Sequence, residues 1–180
     1  MYSKSAHDPV GPFDFSERHS ILINAPPSSI LSYVRHYRLS DDALIRPALF
    51  LRALPARLLR RAPPPSLELQ DFTLLAATDR GLVYGLKGAF WQPDYGLRRF
   101  DTSMDFLGDR DASLATLILS FMTGPAPRGR TRLVTQTHIL CPTRHVWRRF
   151  LPYWLMIRPV SGLMRRRMLS QIKARCEKGS

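Results

Sequence analysis

The stretch from about Thr143 to Cys176 limits what this chain can fold into more than any other. Its large apolar residues Trp147, Phe150, Trp154, Ile157, Met164, Met168 and Ile172 recur near helical spacing over many turns, which predicts one long amphipathic helix. Pro152 and Pro159 interrupt it and predict a kink near one of them. So long an apolar stripe needs an extended apolar surface beneath it, and the segments before it supply one as strands.

RHSILINAP alternates as a first strand, beginning near Glu17 after a loose arm over residues 1–16 that carries Pro9, Gly11 and Pro12. The Pro26-Pro27 pair suits the opening of a short helix, where a missing amide proton costs nothing, with Ile30, Val34 and Tyr37 on its buried face. SDDALIRPALFLRALPARLLRRA has acids at its start and arginines at its end, matching a helix dipole, but Pro47 and Pro55 divide it into short helical pieces. FTLLAAT and LVYGLKGAF are joined by Asp79, Arg80 and Gly81, a hairpin in which Gly81 can take a positive φ. A looser stretch through QPDYG follows, and SLATLILSFMT and RTRLVTQTHIL then flank the turn GPAPRG. The order is strand, helical segment, antiparallel strands, long helix, so the expected class is α+β, with the sheet covered on one face by helices and a single domain over residues 17–178.

A chain of 180 residues with 44% hydrophobic and 23% charged residues can bury a full core. Cys141 and Cys176 form neither a CxxC nor a Cys/His cluster, and His7, His19, His36 and His145 show no ligand spacing. Neither a disulfide framework nor a metal is expected, and a reducing cytoplasm is the expected compartment. No stretch has the length and apolarity of a signal peptide or membrane span, Leu114 to Met122 being broken by Thr116 and Ser120.

The sequence resembles the START-like superfamily, also called SRPBCC, which includes polyketide cyclases and lipid-transfer domains. The resemblance covers roughly residues 17–177 and rests on ILINAPPSSILSYV, LRALPARLL, GLVYGLKGAFWQP, TRLVTQTHIL and the terminal FLPYWLMIRPVSGLMRRRMLSQIKARCE. That last stretch resembles a bacterial subgroup in which YW, an IRP-like turn and SG precede a basic helix end. The resemblance implies a helix-grip fold of the Bet v 1 type, a curved antiparallel sheet around a long C-terminal helix, with a cavity between them for a hydrophobic small molecule such as a lipid, fatty acid or polyketide. Departures are Pro152 inside the helix, and Gln136 and His138 where an acid and a base would flank the threonines of the last strand.

Strand parity then selects the cavity side. Leu133, Thr135, Thr137 and Ile139 share one face of the last strand, Leu117, Leu119 and Phe121 lie with Ala115 on the strand before it, and Tyr84, Leu86 and Phe90 come from the hairpin. Of these, Tyr84, Leu86, Phe90, Leu117, Leu119, Phe121, Thr135 and Thr137, with Trp154, Ile157, Ser161 and Met164 from the helix, make the candidate ligand wall, Tyr84, Thr135, Thr137 and Ser161 being its few polar contacts. The competing reading is a solid core, in which Trp91 and Trp154 simply complete the packing.

Catalytic motifs are missing: there is no GxSxG, HExxH or P-loop, and the glycines near 81–88 lack dinucleotide spacing. Asp71, Asp101, Asp105 and His138 are the acids and bases considered, each expected to be solvated. A non-catalytic carrier is therefore the leading expectation, with no cofactor, and a cyclase- or dehydratase-type enzyme using the same cavity is the alternative. The formal charge of +13 favours polyanions. The run Arg165, Arg166, Arg167 with Lys173, Arg175 and Lys178 reads as a solvated helix face, which with Arg57, Arg60 and Arg61 would suit peripheral contact with an anionic membrane. Nucleic acid is disfavoured because no recognition motif accompanies the charge.

Overall fold

A computed structural model describes residues 13–37, 69–92 and 94–178. It is α+β: a five-stranded, wholly antiparallel open sheet with a long C-terminal helix packed against it. The strands are β1 (Phe15–Ile23), β2 (Thr73–Thr78), β3 (Gly81–Gly88), β4 (Ala115–Pro125) and β5 (Thr131–Leu140), in the order β1-β5-β4-β3-β2. The helices are α1 (Pro27–Arg35), α2 (Ser103–Gly108) and α3 (Arg144–Lys178).

Period-two burial sets the inner face. Along β5, Leu133, Thr135, Thr137 and Ile139 are buried, Val134, Gln136 and His138 between them are half-buried, and Arg132 just before them is exposed. Leu119 and Phe121 continue that face on β4, and Leu82, Tyr84 and Leu86 on β3. The helix α3 lies chiefly along β1 and packs on α1. Pro27 opens α1 at its first turn, and Ile30, Leu31 and Val34 form its buried side. Tyr37 ends this region, donating its hydroxyl to Gln171 Oε1 on α3 at 3.1 Å.

Several expectations change in detail. The first strand begins at Phe15, two residues before Glu17. Gly81 closes a two-residue turn from within β3 and has no positive φ; β4 lies so close that a Cβ would overlap Met122 Sδ. Positive φ occurs instead at Arg128 and Gly129, in the β4–β5 connection, and at Tyr95 and Gly96. The strand β4 extends through Gly124 and Pro125, read from sequence as turn. The helix α3 runs unbroken through Pro152 and Pro159. Both prolines are exposed, so water can reach the carbonyls that lose their helical partner. The helical pieces expected between Ser40 and Ala62, with Arg57, Arg60 and Arg61, lie outside the described residues.

The outer face of β3 is covered too, which the strand pattern does not announce. Phe106 of α2 sits on Gly85, where a Cβ would meet its ring at 2.5 Å. Beside it Lys87 is buried, its ammonium donating to the Asp109 carbonyl at 2.8 Å and to Asp109 Oδ2 at 3.2 Å, over the Phe106 ring at 4.9 Å. Among the described residues no helix is long and apolar enough to cross a membrane.

Candidate functional site

The core divides into two apolar clusters. One joins α1 and the far half of α3 through Ile23, Ile30, Leu133, Leu169 and Ile172. The other gathers Phe90, Ile139, Val146, Phe150, Trp154 and Ile157 around the first half of α3. Between sheet and helix lies a cavity of about 150 Å³ whose walls come from both.

Of the residues proposed from sequence, Phe90, Leu117, Leu119, Phe121, Thr137, Trp154, Ile157, Ser161 and Met164 line this cavity. Tyr84, Leu86 and Thr135 are buried on the same inner face but do not line it. Tyr84 packs edge-on against Phe121, and burial raises its phenol pKa above the usual value, against the opposing pull of Arg35. Leu86 belongs to the Phe90–Phe150 cluster. Val34, Tyr37, Phe72, Phe150, Tyr153 and Arg165 are wall residues the sequence reading did not include.

The polar groups form one patch rather than being scattered. Glu17 faces Thr137 across the β1–β5 ladder, and His19 faces Thr135. Glu17 Oε1 and His19 Nε2 are 2.7 Å apart, with side chains only 11% and 15% exposed. Glu17 Oε2 is buried without a hydrogen-bond partner. Above them α3 crosses at Gly162, where a Cβ would stand 2.9 Å from Glu17 Oε1, so glycine is what lets the helix sit this close. One turn on, Arg165 Nη1 donates to Thr135 Oγ1 at 3.0 Å. Burial lowers the Arg165 pKa to about 10, the charge of Glu17 opposing the fall, so the guanidinium stays cationic at neutral pH.

Arg165 therefore does not belong to the solvated arginine run; it turns inward while Arg166 is exposed. The signal was present, since Ile157, Ser161 and Arg165 follow at four-residue intervals along the stripe that continues to Met168 and Ile172. Glu17 and His19 likewise share parity with Phe15 and Ile21 on β1.

The acids and bases considered from sequence sit elsewhere. Asp71 pairs with Arg99 at 2.7 Å, Asp105 hydrogen-bonds Thr102 at the start of α2, and His138 lies on the outer sheet face against the Phe13 ring. Trp91 packs against the second cluster and Trp154 is buried within it. Both cysteines are buried and free; burial, aided by Asp14, pushes the Cys141 thiol up to about 12, and burial also raises Cys176. Neither thiol is a competent nucleophile at neutral pH. Among the described residues no three His, Cys, Asp or Glu gather as a metal site would require.

Among the described residues the cavity thus has mostly apolar walls, one half-buried cation and a Glu17–His19 pair close to that cation. Comparison of the chain with protein-family models, curated proteins and solved structures gave no match in any of the three.

Proposed function

We propose that this protein holds a compact apolar small molecule between its sheet and its C-terminal helix, as a carrier or sensor that does no chemistry on it. The observation that carries the reading is the void itself. Folded interiors leave few gaps larger than a water molecule. At roughly 24 cal/mol per Å³, an unfilled cavity of about 150 Å³ forgoes roughly 3–4 kcal/mol of packing, a large share of a domain's usual stability. An apolar ligand restores those contacts. The order of strand, helix, antiparallel strands and terminal helix supports a helix-grip domain of the START-like kind.

Cavities near this size accept a benzene-sized guest, and drug-sized sites start at about 300 Å³. The expected ligand is therefore a single ring or short chain; a full lipid or polyketide would require the walls to part. The Glu17–His19 pair supplies the acid and base that a cyclase-type enzyme would need, but neither side chain lines the cavity, and this favours binding over catalysis. Native mass spectrometry of gently purified protein is the test. A copurifying apolar molecule released on unfolding is expected; an empty protein that also takes up no single-ring probe would contradict the reading.

A second reading concerns the outer side of α3. Leu155, Met156 and Leu163 are 63%, 48% and 62% exposed, with exposed Arg148 and Arg149 before them and Arg166 and Arg167 after them. Apolar side chains between basic pairs suit an anionic bilayer, at about 1 kcal/mol per basic residue near the surface. The protein should sediment with phosphatidylserine vesicles and not with phosphatidylcholine vesicles, and Leu155→Glu/Leu163→Glu should abolish this. Equal binding by the double variant, or retention by DNA in place of vesicles, would reject it.

A further inference from the structure

We infer that the ligand of this cavity carries a carboxylate and that Arg165 receives it, an inference resting on the cavity reading above. Among the described residues lining the cavity, Arg165 contributes the cationic group. A guanidinium has five N–H donors; among the described residues the hydrogen bond to Thr135 is the one side-chain bond Arg165 makes. No described carboxylate lies within ion-pair distance of it. Glu17, whose charge Arg165 senses, has one oxygen tied to His19 and acts from further off.

That arrangement leaves a cation held in place but not neutralised by contact. Thr135 anchors one nitrogen from the sheet, and Glu17, fixed under Gly162 and tied to His19, biases the charge without capturing the fork. The remaining donors border a cavity whose other polar groups include the hydroxyls of Ser161, one helical turn away, and Thr137. A planar fork of donors matches a carboxylate in two parallel hydrogen bonds, and a half-buried setting strengthens them over the same pair in open water. An alcohol or ketone of the same body takes one donor and leaves the charge uncompensated. The ligand class is therefore a compact aromatic or short-chain carboxylic acid, bound as its anion.

The experiment is a titration of the full chain at neutral pH with phenylacetate and with 2-phenylethanol, followed by NMR. Phenylacetate should bind at least tenfold more tightly. Arg165→Met should erase that preference while keeping the alcohol's affinity, and Arg166→Met, which removes an exposed charge of the same sign, should leave the preference intact. Equal affinity of the two compounds for the wild-type protein overturns the inference while the cavity reading stands, and this arm needs no variant to fold. A preference that survives Arg165→Met, or vanishes with Arg166→Met, overturns it as well. Failure of both compounds to bind removes the cavity reading, and the inference with it.

Discussion

Phe150→Ala is expected to lower the unfolding free energy by about 3–5 kcal/mol, the range for deleting a buried aromatic side chain. Phe150 is 1% exposed and sits among four other rings: Phe15 at 5.2 Å, Tyr153 at 5.6 Å, Trp154 at 6.0 Å and Phe90 at 6.2 Å between centroids. It joins the edge strand β1, the segment after β3 and two neighbours on α3, so no single element can shift to close the space. Because it already borders the cavity, its loss enlarges an existing void. At about 2–4 °C per kcal/mol for a chain of this length, the midpoint of thermal unfolding should fall by roughly 10 °C. A loss below about 1 kcal/mol by denaturant titration would mean that the first half of α3 is not packed as described.

The second large effect lies on the opposite face of the sheet. Lys87 and Asp109 have side chains 9% and 10% exposed and form an ion pair at 3.2 Å. Asp109→Ala strips the buried ammonium of its counter-charge and should cost about 3–5 kcal/mol, the range for breaking a buried pair from one side. Lys87→Met should cost less, about 2 kcal/mol by the same reasoning, because Asp109 keeps Arg98 at 3.0 Å, a half-exposed partner of modest worth. Lys87→Met/Asp109→Leu should recover most of the loss, since an apolar pair can replace a buried ion pair at little cost. Denaturant unfolding of the three variants reads this coupling directly. Additive losses in the double variant would show that the two side chains do not act as a pair.

The sequence made the inner face of the sheet legible because its period is two and its residues are decisive. Leu133 and Ile139 bracket the threonines on β5, and a one-residue slip would place Arg132 and His138 in the core. Pro27 marked the start of α1 for an equally local reason. The cover on the outer face was not legible, because Phe106 and Asp109 reach Gly85 and Lys87 from more than 20 residues away, and alternation says nothing of such a partner. A lysine is rarely buried, and only the tertiary partners of Lys87 make its burial tolerable.

The polar patch was obscured by a different assumption. Arg165 stands in a run with Arg166 and Arg167, and a basic run near the end of a helix usually meets water. Helical spacing from Ile157 and Ser161 assigns it to the inner stripe instead, and that spacing outweighs the identity of its neighbours. Gly162 is a related case: a glycine within a helix is costly in isolation, and its reason appears only once Glu17 stands 2.9 Å from the missing Cβ. Thr135, assigned from sequence to the cavity wall, instead anchors Arg165 from behind.

The central claim, a binding cavity where a solid core would otherwise stand, is tested most directly at Leu119. It is buried, lines the cavity from the middle of β4, and a larger side chain there would occupy the space proposed to hold a ligand. Calorimetric titration of indole into wild-type protein and Leu119→Trp, with thermal unfolding of the same samples, gives the answer. The account predicts that indole binds the wild-type chain and raises its unfolding temperature. Leu119→Trp should fold, at a cost of no more than about 1–3 kcal/mol, and should bind none. A Leu119→Trp variant that cannot fold, beside a wild-type protein indifferent to indole, would mean that the interior is already full.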